Sequence, residues 1–215
     1  MVHEQPCVEA DSEPMDANHS IDFFDRQFQH QIAQGEHALN PFEQATLPHL
    51  RGRVLDFGCG LGNLALRAAR QGSAVDALDA SAAAIAHLHD LAARESLPLR
   101  TTEADLRDHV PEGLYDTVVC IGLLMFFDCA SAWRQLERLQ TATAPGGVLA
   151  LNVLIEGTTF MGMFAPAGHC LFEPGHVRER FAGWESLHEA IDTFDAPGGT
   201  SKRFLTLIAR RPLTP

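Results

Sequence analysis

The sequence predicts an α/β domain built on a doubly wound, mostly parallel sheet of seven strands with an antiparallel C-terminal hairpin. Three observations support this prediction. Short apolar runs alternate with helical segments along most of the chain. The first run breaks into three glycines at alternate positions, and the last two runs meet through Ala-Pro-Gly-Gly-Thr, a hairpin signal. Alternation of strands and helices with right-handed crossovers produces a parallel sheet covered on both faces.

The elements are expected in the following order. Residues 1–18 are polar and acidic and predict a disordered arm. Residues 19–50 predict a helical cap, and residues 51–215 the core of a single domain that spans 19–215. Strands are expected at about 53–57, 74–79, 97–103, 115–121, 148–154, 184–194 and 203–210, and helices at about 20–38, from 41 to near 48, and at 62–71, 81–95, 130–143 and 174–181.

Composition excludes several classes of function. A formal charge of −12 in 215 residues, with no basic cluster, opposes binding to nucleic acid or anionic membranes. No apolar run approaches the roughly 18–20 residues that span a bilayer, and the N-terminus has no secretory signal. Five cysteines without paired spacing favour reduced thiols in a cytoplasm, and no metal-ligand pattern is present. We therefore expect a cytoplasmic monomer or homodimer that acts on a small molecule, without a metal.

The glycine run is the most informative motif. Residues 53–62 read Arg-Val-Leu-Asp-Phe-Gly-Cys-Gly-Leu-Gly, and Asp79 ends the next apolar run. A strand that enters a glycine turn leaves room for a ligand against the backbone, and an acidic residue at the tip of the next strand is placed to accept hydrogen bonds from ribose hydroxyls. The pattern therefore predicts a nucleotide-type pocket.

The spacing narrows the choice of nucleotide. Gly58, Gly60 and Gly62 lie one residue closer than in dinucleotide sites, and Asp56 is unusual in a dinucleotide-binding strand. A ligand with adenine and ribose, no phosphate and a positive charge is S-adenosylmethionine. The pattern Val-Leu-Asp-Phe-Gly-Cys-Gly-x-Gly resembles the first motif of class I S-adenosylmethionine-dependent methyltransferases, which have a Rossmann-like fold. A nicotinamide or flavin enzyme and an α/β scaffold without a ligand remain alternatives.

The resemblance implies a cofactor site at the carboxyl ends of the strands. Asp79 is expected to hold the ribose and Asp105 the adenine amino group, while Cys120 and Ile121 lie near the sulfonium. Three of these residues also have a purely structural alternative: Asp79 as the entry residue of a helix, Asp105 as a turn or capping residue, and Cys120 as a small residue of the core. The full expected set, for S-adenosyl-L-methionine and its product S-adenosyl-L-homocysteine, is Asp56, Gly58, Cys59, Gly60, Gly62, Asp79, Ala80, Asp105, Leu106, Cys120 and Ile121.

Later segments resemble one family more closely. The sequence contains Leu-Met-Phe at 124–126, Phe-Glu-Pro-Gly-His-Val-Arg-Glu-Arg-Phe-Ala-Gly-Trp at 172–184 and Arg-Phe-Leu-Thr-Leu-Ile-Ala-Arg at 203–210. These look like the tellurite-resistance methyltransferases, which are implied to methylate tellurium and selenium oxyanions, with relatives that act on small thiols or halides. In that resemblance Arg203 faces the acceptor.

The identity of the acceptor is left open because the sequence departs from that family at several places. The closing hairpin is short, the strand before it lacks the usual His-Arg pair, and the N-terminal segment is longer. His169 is a candidate base if the acceptor needs one, and Cys170 is either a metalloid ligand or a resting thiol. The alternatives are methylation of the oxygen, nitrogen or carbon of a metabolite or natural product, and binding of S-adenosylmethionine without catalysis.

Overall fold

The computed structural model describes residues 19–34, 38–164 and 168–213, so the arm expected at 1–18 lies outside the described residues. Six helices and seven strands are described. The helices are α1 (His19–Gln34), α2 (Pro41–Thr46), α3 (Asn63–Arg70), α4 (Ala82–Arg94), α5 (Cys129–Ala142) and α6 (Pro174–Arg180); the strands are β1 (Arg53–Phe57), β2 (Ala74–Asp79), β3 (Leu99–Glu103), β4 (Tyr115–Ile121), β5 (Thr143–Leu154), β6 (Glu185–Ala196) and β7 (Thr200–Arg210).

The seven strands form one sheet in the order β3-β2-β1-β4-β5-β7-β6. Strands β1 to β5 pair in parallel, whereas β7 is antiparallel to both β5 and β6. The predicted fold class is therefore confirmed. The strand order reverses between β1 and β4, and in open parallel sheets the ligand binds at the carboxyl ends of the strands beside such a point.

Neighbouring residues of β1 explain why helices cover both faces of the sheet. Val54 packs in a core cluster with Ala68 of α3 and Leu88 of α4, whereas Leu55 packs in a second cluster with Leu136 of α5. Successive side chains of a strand point to opposite faces, so two adjacent apolar residues need two separate cores. The apolar runs that predicted the strands thus also dictate the three-layer arrangement.

Strand β5 begins five residues earlier than expected. Pro145-Gly146-Gly147 is a sequence typical of a turn, and the strand was therefore expected to begin after it, at residue 148. In the structure these residues lie inside the strand as a bulge. Gly146 donates a backbone hydrogen bond to Arg211 (3.0 Å), and Arg211 donates one to Gly147 (2.8 Å). Because Arg211, the residue that follows β7, supplies these partners, the glycines stay beside the sheet, as bulges allow.

The remaining boundaries differ by a few residues. Helix α1 ends at Gln34, with residues 35–37 outside the described set, and β7 begins at Thr200 because the hairpin turn is limited to Pro197–Gly199. Within the described ranges, no helix has both the length and the apolar character needed to cross a membrane.

Candidate active site

The glycine turn after β1 is fastened to β2. The backbone amides of Gly58 and Cys59 both donate to the carbonyl of Leu78, at 2.8 and 2.9 Å, and the amide of Gly62 donates to the carbonyl of Cys59 at 2.8 Å. These bonds satisfy the polar groups of a turn that would otherwise be costly to bury. The turn is therefore a fixed floor for one large cavity of about 1290 Å³ at the carboxyl ends of the strands.

All three glycines of the turn are constrained by contacts within the protein. At Gly58, with φ +84°, a Cβ would lie 2.9 Å from the Leu123 side chain. Gly60 has φ +51°, and a Cβ there would lie 3.0 Å from Cζ of Phe28 in α1. Gly62 has φ +70°, and a Cβ there would lie 2.4 Å from Leu88. The sequence predicted a collision between a side chain at Gly60 and a bound cofactor; in the structure the nearest obstacle is an aromatic ring of the helical cap.

Asp79 joins the glycine turn to the helix after β2. One carboxylate oxygen accepts a hydrogen bond from the amide of Gly60 (2.8 Å), and the other accepts from the amide of Ser81 (2.9 Å). Burial raises the pKa of Asp79 in spite of these bonds. Asp79 and Ala80 both line the cavity. Each carboxylate oxygen keeps lone-pair capacity for a ligand hydroxyl.

Asp56 is the most perturbed carboxyl group of the cavity. It is 5 % exposed at the end of β1. Burial, followed by the neighbouring charges of Glu43 and Asp79, raises its pKa to about 8, while a hydrogen bond from the amide of Ala65 opposes the shift. Three clustered carboxyl groups favour either protonation or a bound cation. This corner of the cavity is therefore suited to a positively charged ligand group.

Glu43 belongs to this acidic corner although the sequence analysis did not select it. It forms a capping box with Asn40: the Asn40 amide donates to the Glu43 carboxylate (2.8 Å), and the Glu43 amide donates to the Asn40 side chain (2.9 Å). Burial raises the pKa of Glu43. The Asn-Pro-x-Glu pattern signals a helix start, but no local pattern places that start beside Asp56.

The loop after β3 supplies the opposite end of the cavity. Asp105, Leu106 and Arg107 line it. The Arg107 guanidinium pairs with Asp105 and holds the pKa of that carboxyl below its usual value. The side-chain amide of Gln135 donates to the carbonyls of Leu106 (2.7 Å) and Arg107 (2.8 Å) and so fixes the loop. Asp105 thus lines the cavity, but its carboxylate is already paired.

The two predicted cofactor-binding cysteines have different positions. Cys59 lines the cavity, and burial raises the pKa of its thiol well above the ordinary value. The thiol therefore stays protonated and is an unreactive part of the cavity wall. Cys120 is fully buried in the core, whereas Val119 and Ile121 on either side of it line the cavity. Because side chains alternate along a strand, Cys120 points to the face opposite to that of Ile121. The place of Cys120 near the sulfonium stays a prediction, and its burial agrees with the alternative of a small core residue.

The two residues predicted for catalysis do not line the cavity. Arg203 on β7 donates to the carbonyl of Glu156 (3.1 Å), and strand alternation puts Lys202 and Phe204 at the cavity instead. His169 stacks on Phe164 with ring centroids 4.9 Å apart. The catalytic roles of Arg203 and His169 stay predictions, and neither residue is among those that line the cavity.

A disulfide bond corrects the expectation of reduced thiols. Cys129, at the first residue of α5, is bonded to Cys170, with 4.8 Å between their Cα atoms and 41 residues between them in sequence. Cys170 is therefore neither a metalloid ligand nor a resting thiol. Its amide also donates to the carbonyl of Met125 (3.0 Å), which places the loop after β5 beside the cavity. The described residues contain no group of side chains suited to hold a metal ion.

The helical cap covers the cavity from above. Phe24 and Phe28 of α1 line it, and Phe24 contacts Phe126 edge to face with centroids 4.9 Å apart. The part of the cavity over β4, β5 and β7 is mostly aromatic and sulfur-bearing. Its main lining residues are Phe24, Met125, Phe126, Phe160, Met163 and Phe204.

Comparison with known proteins agrees with this geometry. Residues 54–147 match a family described as "Methyltransferase domain". The chain is 30% identical over 168 residues to "Hemagglutinin 1" of Eikenella corrodens, covering 74% of this chain and 55% of that protein. It is 31% identical over 125 residues to "Ubiquinone biosynthesis O-methyltransferase" of Pseudomonas aeruginosa (strain LESB58), covering 55% and 53%. The chain thus spans about half the length of the curated relatives it matches.

A solved structure extends the comparison to the whole fold. TehB from Haemophilus influenzae has a TM-score of 0.70 and 20% identity, and the match covers 89% of this chain and 67% of TehB. At that identity the likeness shows the fold. Residues 54–147 therefore match the methyltransferase-domain family, and the chain as a whole has the fold of the class I S-adenosylmethionine-dependent methyltransferases.

Proposed function

We propose that this protein transfers the methyl group of S-adenosyl-L-methionine to a small-molecule acceptor. The observation that carries the proposal is a single cavity with two chemically different halves. One half holds the glycine turn and the carboxyl groups of Glu43, Asp56 and Asp79; the other half is aromatic. A cofactor with a cationic end and a ribose fits the first half, and an acceptor fits the second.

The residues of the first half suit S-adenosylmethionine in particular. Asp79 would hold the ribose, and Asp56 with Glu43 would hold the cationic amino-acid end, because buried carboxyl groups with raised pKa values are stabilised by a positive partner. The cofactor supplies a methyl group activated by a sulfonium. The chain itself provides orientation, through the fixed glycine turn, and exclusion of water, through Phe24 and Phe28.

The residues that line the aromatic half of the cavity indicate the chemistry of the acceptor. The guanidinium that was expected to face a metalloid oxyanion, that of Arg203, donates instead to the Glu156 carbonyl. Among the described lining residues there is no histidine or tyrosine to act as a base. We infer that the acceptor is a soft or already ionised nucleophile, such as a thiolate, and not a neutral alcohol that must lose a proton during transfer.

Binding and turnover test this proposal together. Calorimetry with S-adenosylhomocysteine should give a single site, and Asp79→Asn should weaken it about tenfold or more because a charge-assisted hydrogen bond is lost. Asp90→Asn, an exposed residue of α4, is the matched control and should leave affinity unchanged.

Turnover is then measured as S-adenosylhomocysteine released with thiols, phenols, N-heterocycles, selenite and tellurite. Release of S-adenosylhomocysteine with one class of acceptor would support the proposed methyl transfer. Binding without release on the whole panel would favour a non-catalytic binding protein, and failure to bind S-adenosylhomocysteine would contradict the proposal.

A further inference from the structure

The acceptor half of the cavity contains a cation with no carboxylate partner. Lys202 is the only lysine of the chain. It is partly buried on β7, it lines the cavity, and its Nζ lies 4.8 Å from the centre of the Phe160 ring. Among the described residues it forms no ion pair. Arg107, the other cation of the lining, is paired with Asp105.

The position of Lys202 separates it from the cofactor half. In the sheet order, β4 and β5 lie between β1, which carries Asp56, and β7, which carries Lys202. Three strand spacings amount to about 14 Å. Both ribose-side residues, Asp79 and Asp105, lie on or after strands on the far side of β1. Lys202 therefore faces the space left for the acceptor.

The surroundings of Lys202 limit what that acceptor is. Phe126, Phe160, Phe204, Met125 and Met163 give a wall of aromatic rings and thioethers, which favour flat apolar groups. An anion inside such a wall is costly unless it is paired. A small hydrated oxyanion would leave the wall unfilled, and a neutral aromatic ring would leave the ammonium unpaired. A ring that carries an anionic group satisfies both.

We propose that the acceptor is a flat aromatic molecule with an anionic substituent, and that Lys202 selects it by binding that substituent. The proposal rests on the proposed function and specifies its acceptor. Lys202 is a specificity residue that contacts the acceptor away from the reacting atom. With an aromatic thiolate, the methyl carbon–sulfonium bond breaks as the carbon–thiolate bond forms. The departing sulfur keeps the electron pair as a neutral thioether, and no proton has to be removed.

A matched pair of acceptors tests the charge requirement. 4-Mercaptobenzoate and 4-mercaptobenzamide have nearly the same shape and differ in the charge opposite the thiol. With S-adenosylhomocysteine present, 4-mercaptobenzoate should bind at least about tenfold more tightly than the amide, as expected for a partly buried charge-assisted contact. In Lys202→Met that preference should disappear because 4-mercaptobenzoate binds more weakly. Its KM should rise, and its kcat should change little. Arg203→Met, the adjacent cation on the other face of β7, should keep it.

The single lysine permits a second, independent measurement. An amine-reactive acylating reagent modifies only Lys202 and the N-terminus, and peptide mass spectrometry distinguishes the two. With S-adenosylhomocysteine bound, 4-mercaptobenzoate should slow acylation of Lys202, whereas 4-mercaptobenzamide should not.

Four results would overturn the inference. Equal binding of the two acceptors by the wild type would remove the charge requirement. Protection of Lys202 by S-adenosylhomocysteine alone, or weaker S-adenosylhomocysteine binding by Lys202→Met, would assign the lysine to the cofactor. Equal kcat/KM values for the amide and the benzoate would refute only this inference, whereas absence of S-adenosylhomocysteine binding would refute the proposed function as well.

Discussion

The carboxylate of Asp25 accepts a hydrogen bond of 2.6 Å from the hydroxyl of Ser81 and so joins the cap helix α1 to the first turn of α4. The same Asp25 oxygen accepts from the amide of Ala83 (3.2 Å), while the Ser81 hydroxyl accepts from the amide of Ala84 (3.1 Å). The hydrogen bond from Ser81 lowers the pKa of Asp25. The N-terminus of α4 is thus capped by two side chains, Ser81 just before the helix and Asp25 from α1.

Asp25→Ala should release the cap without unfolding the core. Loss of a helix-capping acceptor costs about 1 kcal/mol, so the melting temperature should change little. Hydrogen exchange in residues 19–34 should become faster, and S-adenosylhomocysteine should bind more weakly, because Phe28 of α1 covers the glycine turn. Asp25→Asn keeps an acceptor oxygen and should give a smaller effect. Wild-type exchange rates in Asp25→Ala would show that other contacts hold the helix.

Gly60→Ala should weaken S-adenosylhomocysteine binding about tenfold or more, equivalent to about 1.4 kcal/mol. The new Cβ would lie 3.0 Å from Phe28, so the ring must move over the cofactor side of the turn. Gly72→Ala is the matched control, because Gly72 also has a positive φ (+93°) but no atom within 4 Å of its Cβ position. Both variants carry a similar backbone strain of about 1–2 kcal/mol, measurable by denaturant unfolding. Equal ligand affinities in the two would mean that the turn does not face the cofactor.

The pKa of Asp56 predicts how the free protein responds to pH. Its folded value of about 8 exceeds the ordinary value of 3.8, so the folded state binds the proton more tightly than the unfolded state. The contribution of Asp56 to stability is therefore complete below about pH 4 and is lost as the pH rises through about 8. The melting temperature of the free protein should fall over this window, and Asp56→Asn should flatten that dependence. An unchanged slope in Asp56→Asn would refute the assignment.

Binding of a cationic group beside Asp56 should release a proton. Near neutral pH the carboxyl group of the free protein is mostly protonated, since its pKa is about 8, and a positive ligand group favours the ionised form. The affinity for S-adenosylhomocysteine should therefore rise from pH 6 to pH 8.5. Calorimetry in buffers of different ionisation enthalpy measures the released proton directly. Asp56→Asn should release fewer protons, and an equal release would place the ligand cation elsewhere.

The disulfide between Cys129 and Cys170 should stabilise the fold by about 4 kcal/mol in the chain-entropy treatment, given the 41 residues that separate the two cysteines. Reduction with dithiothreitol should lower the melting temperature of the wild type. The double variant Cys129→Ser/Cys170→Ser should melt at the same lower temperature with or without reductant. A wild type insensitive to dithiothreitol, with Cys129 reactive to alkylation before unfolding, would show that the bond is absent.

The sequence predicts those parts of the fold that depend on local chemistry. Three local features are of this kind. The apolar run of β1 specifies a strand, the glycines after it specify a turn, and Asp79 at the end of β2 marks an edge of the cavity, because few other conformations suit these residues. The hairpin turn is equally local, since Pro197–Gly199 contains two glycines with positive φ.

Other parts of the site depend on contacts that the sequence does not encode locally. A shift of one residue along a strand reverses the face, so the resemblance selected Arg203 where Lys202 lines the cavity. Glu43 approaches Asp56 only through the packing of α2, and Cys129 approaches Cys170 across 41 residues. Such pairs are products of the assembled fold.

One helix covers both halves of the cavity. Phe28 of α1 lies against Gly60 at the nucleoside side, and Phe24 of the same helix contacts Phe126 at the opposite side. On the proposed function, spent cofactor and methylated product would both lie beneath this one helix. We expect that a movement of α1 exposes both sides together, so that the two exchange steps of a catalytic cycle would share a common opening event.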